Sequence, residues 1–188
     1  MNIRNLRGNV FQERASAALK KKICMVGKFG VGKTSLVRRF VDGFFGEKYL
    51  TTLGVKIDRK DIPVGGESLA LMLWDLAGED ELSRLQISHL RGASGYILVA
   101  DGCRRDTFTK AIELQGRIAQ NFGELPFVFA INKADLRAHW EVTNTDLADC
   151  GWPVFETSAR AGSGVEEMFL ALAEKLLGEK ATAEEIDE

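Results

Sequence analysis

The sequence predicts an α/β fold built on a mainly parallel sheet, and three observations carry that prediction. Short apolar runs alternate along the chain with stretches whose apolar residues fall at helical spacing. A strand, a glycine-rich loop and a helix open the series. Polar turns containing Asp, Asn or Gly stand where the apolar runs end. Strands alternating with helices pair in parallel, and a parallel sheet is covered by helices on both faces. Ligands of such sheets sit at the carboxyl ends of the strands.

Taken in order, the strands are expected at 22–26, 55–62, 69–74, 95–100, 127–131 and 153–156, six in all. The run at 55–62 alternates apolar with charged residues, so one of its faces is wet. Gly65-Gly66 signals a hairpin, which makes the second and third strands antiparallel. Helices are expected from Lys33 through 41, at 106–122, at 143–149 with a stop at Gly151, and at 164–177. The last carries Val165, Met168, Phe169, Leu172 and Leu176 on its apolar positions. Residues 42–54 hold three glycines and little periodicity. A loop that long in a compact domain is often functional.

The chain has 188 residues, the size of one domain, and 45% of them are hydrophobic, enough for a substantial core. A net charge of −2 and a pI near 5.8 exclude a general basic field for nucleic acid. The expected organisation is a basic extension at 1–20, one domain at 21–178 and an acidic tail at 179–188. Arg4, Arg7, Arg14 and Lys20-Lys21-Lys22 make the first part basic, and both ends read as solvated. A loose apolar stripe of Ile3, Leu6, Val10 and Phe11 makes the extension a candidate for weak contact with a membrane surface or a partner. Cys24, Cys103 and Cys150, odd in number and widely spaced, fit a reduced cytoplasmic protein and read as small buried residues. No apolar run reaches transmembrane length, and no signal peptide, myristoylation glycine or prenylatable cysteine is expected. His89 and His139 have no partners at metal-ligand spacing.

The chemistry concentrates at the strand ends. Gly27-Lys28-Phe29-Gly30-Val31-Gly32-Lys33-Thr34 reads G-x-x-x-x-G-K-T, between a strand and a helix that continues through Ser35. Glycines let the backbone wrap phosphate oxygens and aim successive N–H groups inward. The helix start adds the positive end of its dipole. Lys33 supplies a cation for the β- and γ-phosphates, and the Thr34 hydroxyl is placed for Mg²⁺. After the third strand comes Asp75-Leu76-Ala77-Gly78-Glu79. Asp75 can hold Mg²⁺ through water, and Gly78 lets a backbone N–H approach the γ-phosphate. The plain alternative for Asp75 is a helix N-cap.

Asn132-Lys133-Ala134-Asp135 follows a buried strand. The Asp135 carboxylate can accept from the N1–H and 2-amino groups of guanine; adenine offers neither, so a polar mismatch penalises it. Asn132 can tie loops together, and the stem of Lys133 can lie over the ring. In Thr157-Ser158-Ala159-Arg160, after the last strand, the Ala159 N–H can meet guanine O6.

These motifs in this order resemble the Ras superfamily of small GTPases, over about residues 20 to 177. Three stretches are most similar to the Rab branch: Trp74-Asp75-Leu76-Ala77-Gly78-Glu79, residues 90–99, and Glu156-Thr157-Ser158-Ala159. The resemblance implies the P-loop NTPase G domain, GTP and GDP with Mg²⁺ as ligands, and hydrolysis of GTP to GDP and phosphate. Residues 43–54 resemble switch I and 76–90 switch II. By the same resemblance Thr52 is the switch I threonine that binds Mg²⁺, with Thr51 as the neighbouring register, and Phe45 lies against the base. Lys33, Gly78 and Glu79 take the catalytic positions. The γ-phosphate and Mg²⁺ would hold both loops, hydrolysis would release them, and effectors, an exchange factor or an activating protein would read the surface around Trp74.

Three features depart from the family. Glu79 stands where its catalytic glutamine belongs. Glutamate keeps the acceptor for water, loses the donor and adds charge near the phosphates. Phe29 fills a P-loop position that the family keeps small, and a lipidated C-terminal cysteine is missing. The leading reading is a GTP-hydrolysing switch that is slow without a partner. The alternative is a nucleotide-locked interaction module with little or no hydrolysis.

Overall fold

The computed structural model describes residues 19–46, 54–76 and 88–184. β1 (Leu19–Val26) leads through the glycine loop into α1 (Lys33–Asp42). β2 (Val55–Val64) and β3 (Glu67–Leu76) form a hairpin in which Val55 faces Leu76 and Val64 faces Glu67. β4 (Gly95–Asp101), α2 (Arg105–Phe122), β5 (Phe127–Asn132) and a 3₁₀ helix (Ala134–His139) follow. α3 (Asn144–Asp149), β6 (Val154–Thr157) and α4 (Val165–Glu184) complete the order. The strands form one six-stranded sheet, β2-β3-β1-β4-β5-β6. Only β2–β3 is antiparallel among the described pairings; β1–β3, β1–β4, β4–β5 and β5–β6 are parallel. The architecture is the one the alternation of strands and helices predicts.

Period-two alternation builds a core on each face of the sheet. Ile23 and Met25 of β1 point to one side, where Leu36, Val37 and Phe40 of α1 meet Met168, Phe169 and Leu172 of α4. Phe40 and Phe169 stack there, 4.0 Å between centroids. Cys24 and Val26 point to the other side and pack with Phe108, Ala111, Leu114 and Ile118 of α2. Thr143 caps α3 by a reciprocal capping box with Asp146.

Several boundaries differ from expectation. β1 begins at Leu19, paired with Leu69, so Lys20–Lys22 belong to the sheet rather than to a solvated tail. The Lys22 ammonium lies 4.0 Å over the Trp74 ring and donates to the Arg91 carbonyl, which is how a lysine is used in this strand. α4 runs to Glu184, beyond the expected stop at 177, because Glu, Lys and Ala after Gly178 are good helix formers. Residues 1–18 and 185–188 lie outside the described residues. Cys24 is buried, but Cys103, in the turn after β4, and Cys150, which follows α3, are partly exposed. No helix among the described residues is long and apolar enough to cross a membrane.

Candidate functional site

Because five strands run parallel, the carboxyl ends of β1, β3, β4, β5 and β6 lie along one edge of the sheet. The glycine loop follows β1. Gly27 has φ 152°, and a Cβ there would stand 2.3 Å from the Val99 carbonyl oxygen, so β4 passes too close for a side chain. Gly32, the residue before α1, has φ 102°, and its Cβ would meet the Asn132 amide at 2.2 Å. The loop is thus seated against β4 and against the loop after β5.

The side of the site expected to hold phosphates has Lys33, Thr34 and Asp75 together. Lys33 is 5% exposed, and its ammonium donates to the carbonyls of Gly27 at 2.9 Å and Lys28 at 3.1 Å. Burial pushes its pKa down to about 8, against the opposing pull of the Asp75 charge. The Thr34 hydroxyl donates to Asp75 Oδ2 at 2.6 Å. Asp75 lies within β3, 1% exposed, rather than at a helix N-cap. A hydroxyl and a carboxylate are hard oxygen donors, and that donor set suits Mg²⁺. The Lys28 side chain turns to α2, where its ammonium pairs with Asp106 at 2.7 Å and holds that carboxyl below the usual range. Phe29 is half-buried, and its carbonyl accepts from Arg104 Nη2 at 2.9 Å.

The side expected to hold the base is a network around Asn132, which is 3% exposed. Its amide donates to the Val31 carbonyl at 2.9 Å, and its oxygen accepts from the Ala159 N–H at 3.2 Å and the Thr157 hydroxyl at 3.4 Å. One side chain therefore joins three loops. Asp135 Oδ1 accepts from the Ser158 hydroxyl at 2.6 Å, and Ser158 Oγ accepts from the Ala161 N–H at 2.9 Å. The Lys133 ammonium pairs with Asp101 at 2.6 Å. Between these groups opens a cavity of about 520 Å³ lined by Gly30, Gly32, Ser35, Phe45, Asn132, Lys133, Asp135, Leu136, Ala159 and Arg160. The structure brings the expected base-side residues and Phe45 to one place. Thr51, Thr52, Gly78 and Glu79 lie outside the described residues.

Comparison with known proteins fits this geometry. A family model described as Ras family matches residues 22–178, most of the chain. The chain belongs to the Ras family. It is 32% identical over 173 residues to the Ras-related protein Rab-1D of Dictyostelium discoideum, an alignment covering 87% of this chain and 83% of that protein. A Ras-family protein of this Rab type is a GTP-binding and GTP-hydrolysing molecular switch, and that is the activity of this chain. Ras-family GTPases in general bind GTP and GDP with Mg²⁺ and act through protein partners.

Sequence reasoning passed over several residues that build this Ras-family site. Arg39 of α1 donates from Nε to the Ala159 carbonyl at 2.8 Å, from Nη1 to Gly43 at 2.9 Å and from Nη2 to Arg160. Asp101, fully buried at the end of β4, accepts from Arg104, Lys133 and the Cys103 N–H. Arg104 thereby links the phosphate loop to the carboxylate that holds Lys133. The only available signal was an aspartate at a strand end, which reads equally well as a turn residue.

Proposed function

We propose that this chain holds the phosphates of GTP with the 27–35 loop and reads guanine with Asn132, Lys133, Asp135, Ser158, Ala159 and Arg160. The observation that carries the reading is the meeting, at one sheet edge, of a buried ammonium (Lys33) with a carboxylate and amide network (Asp135, Asn132). Lys33 compensates charge on the β- and γ-phosphates. Thr34 and Thr52, with Asp75 through water, would hold Mg²⁺, which when bound would screen the phosphate oxygens. Phe45 covers the base.

In the proposed reaction a water oxygen attacks the γ-phosphorus as the bond to the β–γ bridging oxygen breaks; that oxygen leaves with the electron pair on GDP, and the water's proton passes to an oxygen of the released phosphate. The Glu79 carboxylate accepts a hydrogen bond from the water and orients it; the Gly78 N–H meets the γ-phosphate. Effectors and regulators read the 43–54 and 76–90 loops, in the cytoplasm, and the basic residues Arg4, Arg7 and Arg14 add a weak contact with a partner or a membrane surface.

Single-turnover phosphate release after loading with GTP and Mg²⁺ tests this. The expected result is release from the wild type, loss of loading and release in Lys33→Ala, and an altered rate with near-unchanged GTP affinity in Glu79→Ala. Equal release from wild type and Lys33→Ala, or a wild type that does not load GTP, would contradict it.

A further inference from the structure

Trp140 has no part in the roles above, yet its indole is built into the base loop. Lys133 is the one non-glycine residue with positive φ (70°) among the described residues. A side chain in the left-handed region costs about 1 kcal/mol and persists only where its surroundings hold it. Trp140 Nε1–H donates to the Lys133 carbonyl at 3.0 Å, and the Leu136 N–H donates to the same oxygen at 2.9 Å. The indole lies on Gly102, where a Cβ would come within 2.1 Å of the ring. Gly102 has no left-handed φ, so the ring, not the backbone, is what demands glycine there. Gly102 is itself tied to the loop: its N–H donates to the Asn132 carbonyl at 3.0 Å, and its carbonyl accepts from Glu141 and Val142 at 2.9 and 3.1 Å. The Arg137 guanidinium lies 4.1 Å from the indole centroid and pairs with Glu156 at 3.3 Å.

We propose that Trp140 is a positioning residue for guanine recognition, its N–H fixing the Lys133 turn that carries Asp135 to the base edge. This rests on the reading of Asn132 to Asp135 as the base-binding stretch. The alternative is a ring that packs and does nothing more. Inosine diphosphate separates the two, because it lacks the 2-amino group that Asp135 would bind. A role confined to packing lowers thermal stability or all affinities alike; a positioning role lowers the preference for GDP over inosine diphosphate.

The test is calorimetric titration of the full chain with GDP, inosine diphosphate and ADP. Trp140→Phe keeps a ring on Gly102 and removes the donor; the expected result is GDP affinity reduced about fivefold, with the preference over inosine diphosphate reduced as well. Gly102→Ala, which pushes against an intact Trp140, is expected to reproduce that loss. Adding Gly102→Ala to Trp140→Ala is expected to cost nothing further, since the clash is gone. An unchanged GDP-to-inosine diphosphate ratio in both Trp140→Phe and Gly102→Ala overturns the proposal while leaving the base assignment standing. A wild type that binds ADP as tightly as GDP overturns the base assignment, and this proposal with it.

Discussion

The two halves of the nucleotide site are built on opposite electrostatic plans. On the base side, three side chains are tied within the protein: Asn132 bridges three loops, Asp135 is bonded to Ser158, and Lys133 is paired with Asp101. On the phosphate side a lysine is buried where burial penalises its charge, and its pKa falls to about 8. The first arrangement, on the proposed reading, is a preformed shape that would select a base. The second carries a desolvation cost that a polyanion relieves. On the proposed reading, selectivity rests on Asp135 and affinity on Lys33, and substitutions should separate them.

The largest effect is expected from Lys33→Met. Nucleotide affinity should drop on the order of a thousandfold, about 4 kcal/mol, as a buried charge pair loses one member. The nucleotide-free protein should change far less, since relief of the desolvation cost is set against two lost hydrogen bonds and the loss of a cation near the buried Asp75 charge. Calorimetric titration would show the large loss and thermal melts the small change. Asn132→Ala should move both quantities the same way. It strands the Val31 carbonyl and the Ala159 N–H in the interior, costing about 2–4 kcal/mol of stability and weakening GDP and ADP binding together, read by denaturant melts.

A smaller effect concerns pH. The folded-state pKa of Lys33 lies below its unfolded value, so its cost to the free protein is full below pH 8 and is relieved as pH rises from about 8 toward 10.5. Bound phosphates favour the ammonium. Nucleotide affinity should therefore be level below pH 8 and fall above it, approaching tenfold per unit, while Lys33→Met shows no such fall. The smallest effect is expected from Lys28→Ala. Its partner Asp106 is exposed while Lys28 is half-buried, and removal of the pair should cost under about 1 kcal/mol and leave nucleotide affinity nearly unchanged.

What the sequence made legible was whatever is encoded locally. The 27–34 loop, the 132–135 turn and the period-two and helical apolar spacings each sit in one contiguous stretch, so their chemistry reads without a fold. Arg39, Arg104 and Trp140 could not be read that way. Each donates to a backbone carbonyl (Ala159, Phe29 and Lys133), and a carbonyl has no residue type to betray it. Asp101 needed the knowledge that β4 ends beside β5, where Lys133 follows. The ends of β1 and α4 were misplaced because lysine-rich and alanine-rich segments read as solvent-facing in sequence, whereas β3 pairing and helix propensity extend the ordered elements through them.

The most direct measurement compares the affinities of GDP, GMP and ADP on one preparation of the wild type and one of Lys33→Met. Removing the β-phosphate should cost the wild type heavily and Lys33→Met little, while exchanging guanine for adenine should cost both proteins the same factor. ADP binding as tightly as GDP to the wild type, or a GMP penalty undiminished in Lys33→Met, would contradict this.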